Sequence, residues 1–318
     1  MLGNETVPSQ ARLRPGLRIR PRPRSSDSRA LQPRPGRTVP LRTEGTIPPI
    51  ERRSPVAVPT TFDQDATDYS LAHAYWLAKA SDLAYKDDAT IDEQARDWGF
   101  DTVRHHETRF TPPFPLEDTQ AYTMASDRMI VMAFRGTEPK EIRDWLSDSS
   151  TPPWPGPGGT GFVHYGFAQA LESVFPDIRK TLTELRDNDQ TVWLTGHSLG
   201  GALAMLTAAR LVLEDPRLAA DGVYTFGQPR TCDRLLSTAY NSALKGRSYR
   251  FVNNNDIVPQ LPPEPVFSHV DALRFIDSAG KVHEGAGGLV AGLANRAKGL
   301  TAAAFEPTGE GMRDHFMR

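Results

Sequence analysis

Around residues 191–213 a strand-like run meets a helical pattern with almost no loop between them, and this junction constrains the chain more than any other feature. Residues 191–195 are rich in branched and aromatic side chains, and residues 199–213 are dense in Ala and Leu. Only Gly196, His197 and Ser198 separate the two. So abrupt a turn forces its central residue into a strained backbone conformation. Glycines two positions to either side remove the Cβ atoms that would block the close approach of strand and helix. Gly196-x-Ser198-x-Gly200 meets this requirement. Ser198 Oγ is then held above the sheet edge, at a helix N-terminus whose unpaired N–H groups favour developing negative charge. A bare G-x-S-x-G arises by chance in many chains. The flanking strand and small-residue helix make Ser198 the candidate nucleophile.

The charge along the 318 residues is uneven. Residues 1–59 hold twelve Arg, no Lys and four acidic residues, a net +8, which leaves −10 for the remainder of a chain whose total is −2. Eleven prolines fall in the same stretch. Such a segment cannot bury enough apolar surface to offset its ordering entropy, so it reads as a disordered tail, with one folded domain over residues 60–318. The tail is read as a solvated linker, with binding to anionic headgroups as the competing reading; no nucleic-acid partner is expected. Cys232 is the single cysteine, so no intrachain disulfide forms. No apolar leader and no bilayer-length apolar run is present, which makes a cytoplasmic location the expectation, with export by a signal-less route as the exception.

In chain order, helices are expected over residues 69–85 and 90–98, the second capped by Thr90 with Glu93 three residues on. Strand-like runs follow at 101–108, 120–125 and 129–134, the last two joined by a turn at 126–128. Residues 129–134 are almost wholly apolar, as in a central strand buried on both faces. A short amphipathic helix is expected at 142–148, then a Pro/Gly-rich loop to Gly161 and a long helix over 162–186 interrupted at Pro176. Beyond the junction come strands at 222–226 and 247–252, a helix at 232–244, a turn at 253–259, and a last strand at 272–276 opening a hairpin. Alternation of this kind predicts an α/β fold with a mainly parallel central sheet and helices on both faces. His105-His106-Glu107 is not read as a metal site, because adjacent strand residues face opposite ways.

A serine hydroxyl needs a base, and in α/β-hydrolases the acid and the base follow the serine in that order. Asp256, just past the 247–252 strand, is the candidate acid. For the base, topology leaves His315, His269 and His283 open. His197 cannot curl back to Ser198 and is read as a packing or hydrogen-bonding group.

Phe134-Arg135-Gly136-Thr137, Ile142-Arg143-Asp144-Trp145, Val163-His164-Tyr165-Gly166-Phe167, Gly196-His197-Ser198-Leu199-Gly200-Gly201-Ala202, Thr225-Phe226-Gly227-Gln228-Pro229-Arg230 and Asn255-Asp256-Ile257-Val258-Pro259 occur in this order. Together they resemble the class 3 lipases, the fungal-type triacylglycerol lipase family of α/β-hydrolases, over residues 69–318. The resemblance implies an α/β-hydrolase fold, a Ser198–His315–Asp256 triad and no cofactor or metal. It also implies an oxyanion hole at Thr137 and the N–H of Leu199, and a hinged lid carrying Ile142, Trp145 and Leu146. His315 is preferred because the family's base lies near the C-terminus after an Asp, as in Asp314-His315. Two departures stand out: only three residues follow His315, and Cys232 replaces the family's glycine two residues after Pro-Arg.

The implied chemistry is ester hydrolysis through an acyl-enzyme, on acylglycerols, with transient contact with a lipid surface and no obligate protein partner. A phospholipase A1 or soluble carboxylesterase would use the same triad. A non-catalytic binding module of the same fold is the rival from another class.

Overall fold

The computed structural model describes residues 61–109, 118–137, 152–187 and 189–285. The expected tail 1–59, the segment expected to form a lid with Ile142, Trp145 and Leu146, and His315 all lie outside the described residues.

A sheet of eight strands in the order β1-β2-β3-β6-β7-β8-β9-β10 organises the fold. Its strands are β1 (Thr102–Arg109), β2 (Asp118–Ala125), β3 (Met129–Phe134), β6 (Thr191–His197), β7 (Gly222–Phe226), β8 (Ser248–Asn253), β9 (Leu273–Ile276) and β10 (Val282–Glu284). The five strands β3, β6, β7, β8 and β9 run parallel, and antiparallel partners close both ends. Apolar alternation divides β3 between two cores. Ile130, Met132 and Phe134 face one; Met129, Val131 and Ala133 face the other. The first core is covered by α3 (Tyr165–Leu185), α4 (Leu199–Glu214) and α5 (Arg234–Ala243), the second by α1 (Leu71–Leu83) and α2 (Asp88–Asp97). The expected two-sided α/β architecture is therefore present.

Local chemistry accounts for where the elements stop. Ser70 caps α1 by accepting the His73 N–H at 2.9 Å. Asp87, not Thr90, caps α2; its carboxylate accepts the Thr90 N–H at 2.9 Å. The cap therefore lies three residues before the expected one, because a carboxylate was available there. Residues 162–164 are a short strand, β5 (Phe162–His164), rather than helix, paired with β4 (Pro153–Pro155) in a two-stranded ribbon. Pro176 does not interrupt α3: it sits on the exposed face, where the carbonyl it leaves unbonded reaches water. Cys232 is a buried bridge residue between Val163 and Ser268, and α5 starts at Arg234, capped by Asp233. His105 and His106 point to opposite faces, as alternation requires. His105 meets Asp88 and Asp92 of α2, and His106 Nδ1 meets Asp177 of α3 at 2.5 Å.

His73 is the costly residue of the α1 face. It is 1 % exposed, its ring centroid lies 4.2 Å from that of Trp193, and neither ring nitrogen has a hydrogen-bond partner among the described residues. Burial lowers its pKa from 6.5 to about 4, partly opposed by Asp63. The unfolded imidazole takes its proton below pH 6.5, the folded one only near 4, so stability is full above 6.5 and falls as pH drops through that window. At ~1.36 kcal/mol for each pH unit, the loss through this group reaches about 3 kcal/mol. His73→Phe is expected to flatten that part of the profile, as read by urea unfolding at a series of pH values.

Candidate active site

Ser198 lies between β6 and α4 with φ 58° and ψ −124°. Only one other non-glycine residue among those described has positive φ, Asn254 at 38°, and it lies on the turn that carries Asp256. Strained residues persist only where their surroundings over-determine them. Here the surroundings are backbone. A Cβ on Gly196 would come 2.3 Å from the Gly200 carbonyl, and one on Gly200 would come 2.0 Å from the Phe134 oxygen. The spacing glycines are thus required by contact. Ser198 donates its N–H to Phe226 O at 2.9 Å, and its carbonyl accepts from Gly201 and Ala202. Its Oγ is buried and has no hydrogen-bond partner among the described residues.

The parallel register brings the other candidates to the same edge. Phe134 pairs with Gly196, His197 with Phe226, and Phe226 with Phe251, so the exits of β3, β6, β7 and β8 are adjacent. Gly136 follows β3 and packs directly on the elbow: a Cβ there would lie 2.6 Å from His197 O and 3.2 Å from Ser198 Cβ. Thr137 follows it, half-buried. Leu199 opens α4, where its N–H has no acceptor within the helix. Asp256 leaves the end of β8, two strands from β6, and is 3 % exposed. Its backbone N–H bonds Asn253 O at 2.9 Å, and its Oδ1 accepts the Val258 N–H at 3.0 Å.

The structure gives two of the three candidate histidines other employment. His269 Nε2 donates to Pro259 O at 2.5 Å, and burial, reinforced by Arg250, holds its pKa well below the ordinary value. It serves the turn beyond Asp256 as a neutral donor. Arg230 supports the same turn through the Gln260 carbonyl and, at 3.0 Å, that of Pro262. Arg250 beneath is buried, and that burial lowers its pKa to about 10. His283 lies on β10, four strands from β6, roughly 19 Å away at ~4.8 Å per strand. It pairs with Asp277 at 2.7 Å. The third, His315, lies outside the described residues. His197 is a hydrogen-bonding group, its Nδ1 2.9 Å from Tyr85 Oη. Sequence reasoning did not single out Tyr85, since nothing in its local pattern sets it apart from a helix-terminal aromatic. Among the described residues no cluster of His, Cys, Asp or Glu is arranged to hold a metal ion.

A mainly parallel sheet covered on both faces, with a strand–serine–helix elbow at its C-terminal edge, defines the α/β-hydrolase fold. Comparison with known proteins narrows this: residues 131–266 match the family described as Lipase (class 3). The chain is 32 % identical over 199 residues to triacylglycerol lipase OBL1 of Arabidopsis thaliana, covering 47 % of this chain and 38 % of that protein. It is 37 % identical over 157 residues to a lipase of Rhizomucor miehei, covering 46 % and 42 %. The chain thus spans about two fifths of the length of the curated relatives it matches. A solved structure described as showing that a serine protease triad forms the catalytic centre of a triacylglycerol lipase superposes with a TM-score of 0.52 at 27 % identity. That match covers 68 % of this chain and 84 % of the other.

The strain at Ser198 can be measured directly. Ser198→Gly removes the penalty that a side chain meets at positive φ and is expected to stabilise the fold by about 1 kcal/mol. A higher denaturation midpoint with unchanged slope would show it; a lower midpoint would contradict it.

Proposed function

We propose that this chain is a serine carboxylic-ester hydrolase acting on lipid esters, acylglycerols foremost, through an acyl-enzyme. The observation that carries the reading is Ser198 itself: a strained, buried serine at a helix N-terminus, with the exits of β3 and β8 beside it. The class 3 lipase match and the names of the similar proteins, a triacylglycerol lipase and a lipase, support the substrate class. His315 takes the Ser198 proton, and Ser198 Oγ attacks the ester carbonyl. Asp256 orients the imidazole and stabilises its charged form. The N–H groups of Leu199 and Thr137 receive the oxyanion, each worth about 3 kcal/mol to the transition state. The alcohol leaves with the proton from His315, and water then releases the acid.

The domain assigned to this chemistry is 60–318, with 1–59 as a solvated tail. The pattern Ile142, Trp145 and Leu146 supports a lid whose apolar face meets a lipid surface. The location proposed is cytoplasmic, with which the single, buried Cys232 is compatible; among the described residues no helix is long and apolar enough to cross a membrane.

A fluorophosphonate should label Ser198 in the full chain and leave Ser198→Ala unmodified. Ser198→Ala and His315→Ala should each lower kcat by about 10³-fold or more. Hydrolysis of emulsified triacylglycerol should exceed that of phospholipid and of short soluble esters. The opposite order would move the assignment to a phospholipase A1 or a carboxylesterase. Absence of labelling and turnover would leave only a binding module.

A further inference from the structure

Between the two segments that offer oxyanion donors stands one side chain from a remote part of the chain. Tyr85 lies two residues past α1, its backbone fixed by an N–H bond to Asp82 O at 3.1 Å. Its hydroxyl is 2.9 Å from His197 Nδ1. The same oxygen would lie 2.3 Å from a Cβ on Gly136, so it fills the space that any other residue at 136 would claim. The phenol therefore touches the residue before Thr137 and the residue before Ser198 at once. The Arg135 guanidinium lies over its ring at 5.9 Å from the centroid and is itself held by Gln120 Oε1.

This placement has a mechanical consequence. The Thr137 N–H comes from the loop after β3, and the Leu199 N–H from the elbow after β6. β-ladder bonds hold those strands together only as far as Phe134 and Gly196. Beyond that point the separation of the two donors depends on what packs between the loops. Gly136 against His197 O and Ser198 Cβ sets the close side. Tyr85 Oη, bonded to the His197 ring, closes the other. We propose that Tyr85 is a positioning residue for the oxyanion hole, setting the distance between the donors of Thr137 and Leu199 through the His197 ring and Gly136. The proposal rests on the hydrolase reading and adds to it a residue outside the triad and the donors.

The role differs from ordinary packing in what it moves. A donor misplaced by a fraction of an ångström weakens the transition state and leaves ester binding alone. Tyr85→Phe keeps the ring and deletes the hydroxyl. It is expected to lower kcat about ten-fold with KM within about two-fold of the parent, and to slow fluorophosphonate labelling of Ser198 in parallel. In a Thr137→Gly background, where the donor loop is already loosened, the same exchange should cost less than about two-fold, because both act on one element. If Tyr85→Phe does not fold, His197 supplies the test. His197→Asn, whose amide sits near the Nδ1 position, should retain kcat, and His197→Leu should reproduce the loss.

Equal kcat in parent and Tyr85→Phe, or a rise in KM alone, would overturn the positioning role while leaving the hydrolase reading intact. Additive losses in the double variant would do the same. A parent protein that neither turns over esters nor labels at Ser198 would overturn both.

Discussion

The fold depends on one close approach, that of the Gly200 Cα to the carbonyl of Phe134 at the end of the neighbouring strand. There is room for a hydrogen there and not for a carbon. That contact seats the N-terminus of α4 against β3, and Gly196 against Gly200 sets the sharpness of the turn. With both distances set, Ser198 has no relaxed conformation left, and φ 58° follows. The strain costs on the order of 1–3 kcal/mol, small beside the burial of α4, whose Leu203, Met205, Leu206 and Leu211 are almost wholly removed from water. The helix holds the elbow closed, and the elbow presents the hydroxyl.

Everything else in the candidate site uses the same edge of the same sheet. Parallel strands deliver their C-terminal ends side by side, so loops distant in sequence meet without long excursions. Each loop is then pinned by polar groups of its own. Gln228, accepting from Thr225 Oγ1 at 2.7 Å and donating to Thr231, ties the exit of β7. His269 and Arg230 hold the carbonyls beyond Asp256. Tyr85 joins the elbow to the loop after β3. Buried polar groups that satisfy one another in this way rigidify what they bind, and a rigid frame is what preorganised donors require.

Much of this architecture was legible in residue order. The wholly apolar 129–134 segment is a two-faced central strand, and the small-residue run after Ser198 is a helix buried along most of its length. Short-range signals were weaker where two residues competed for one role. Thr90 with Glu93 reads as a capping box, yet Asp87 accepts the Thr90 N–H and starts the helix earlier. Residues 162–164 carry helix-compatible apolar spacing, but Val163 bridges Cys232 and so extends as strand. Pro176 reads as a break because its exposed position on α3 is a tertiary fact.

Sequence by itself determined the nucleophile candidate, the acid candidate and a mainly parallel sheet covered on both faces. Those rest on local sterics and on periodicity, which travel with the chain. It left the three histidines unresolved on topology. Tertiary structure gives two of them other partners: strand order puts His283 at the far edge beside Asp277, and burial commits His269 to a backbone carbonyl. It also decided that a tyrosine more than a hundred residues before the serine stands beside it. No periodicity encodes that neighbour, since the contact arises only when α1 packs on the face of β6 and brings the end of the helix to the elbow.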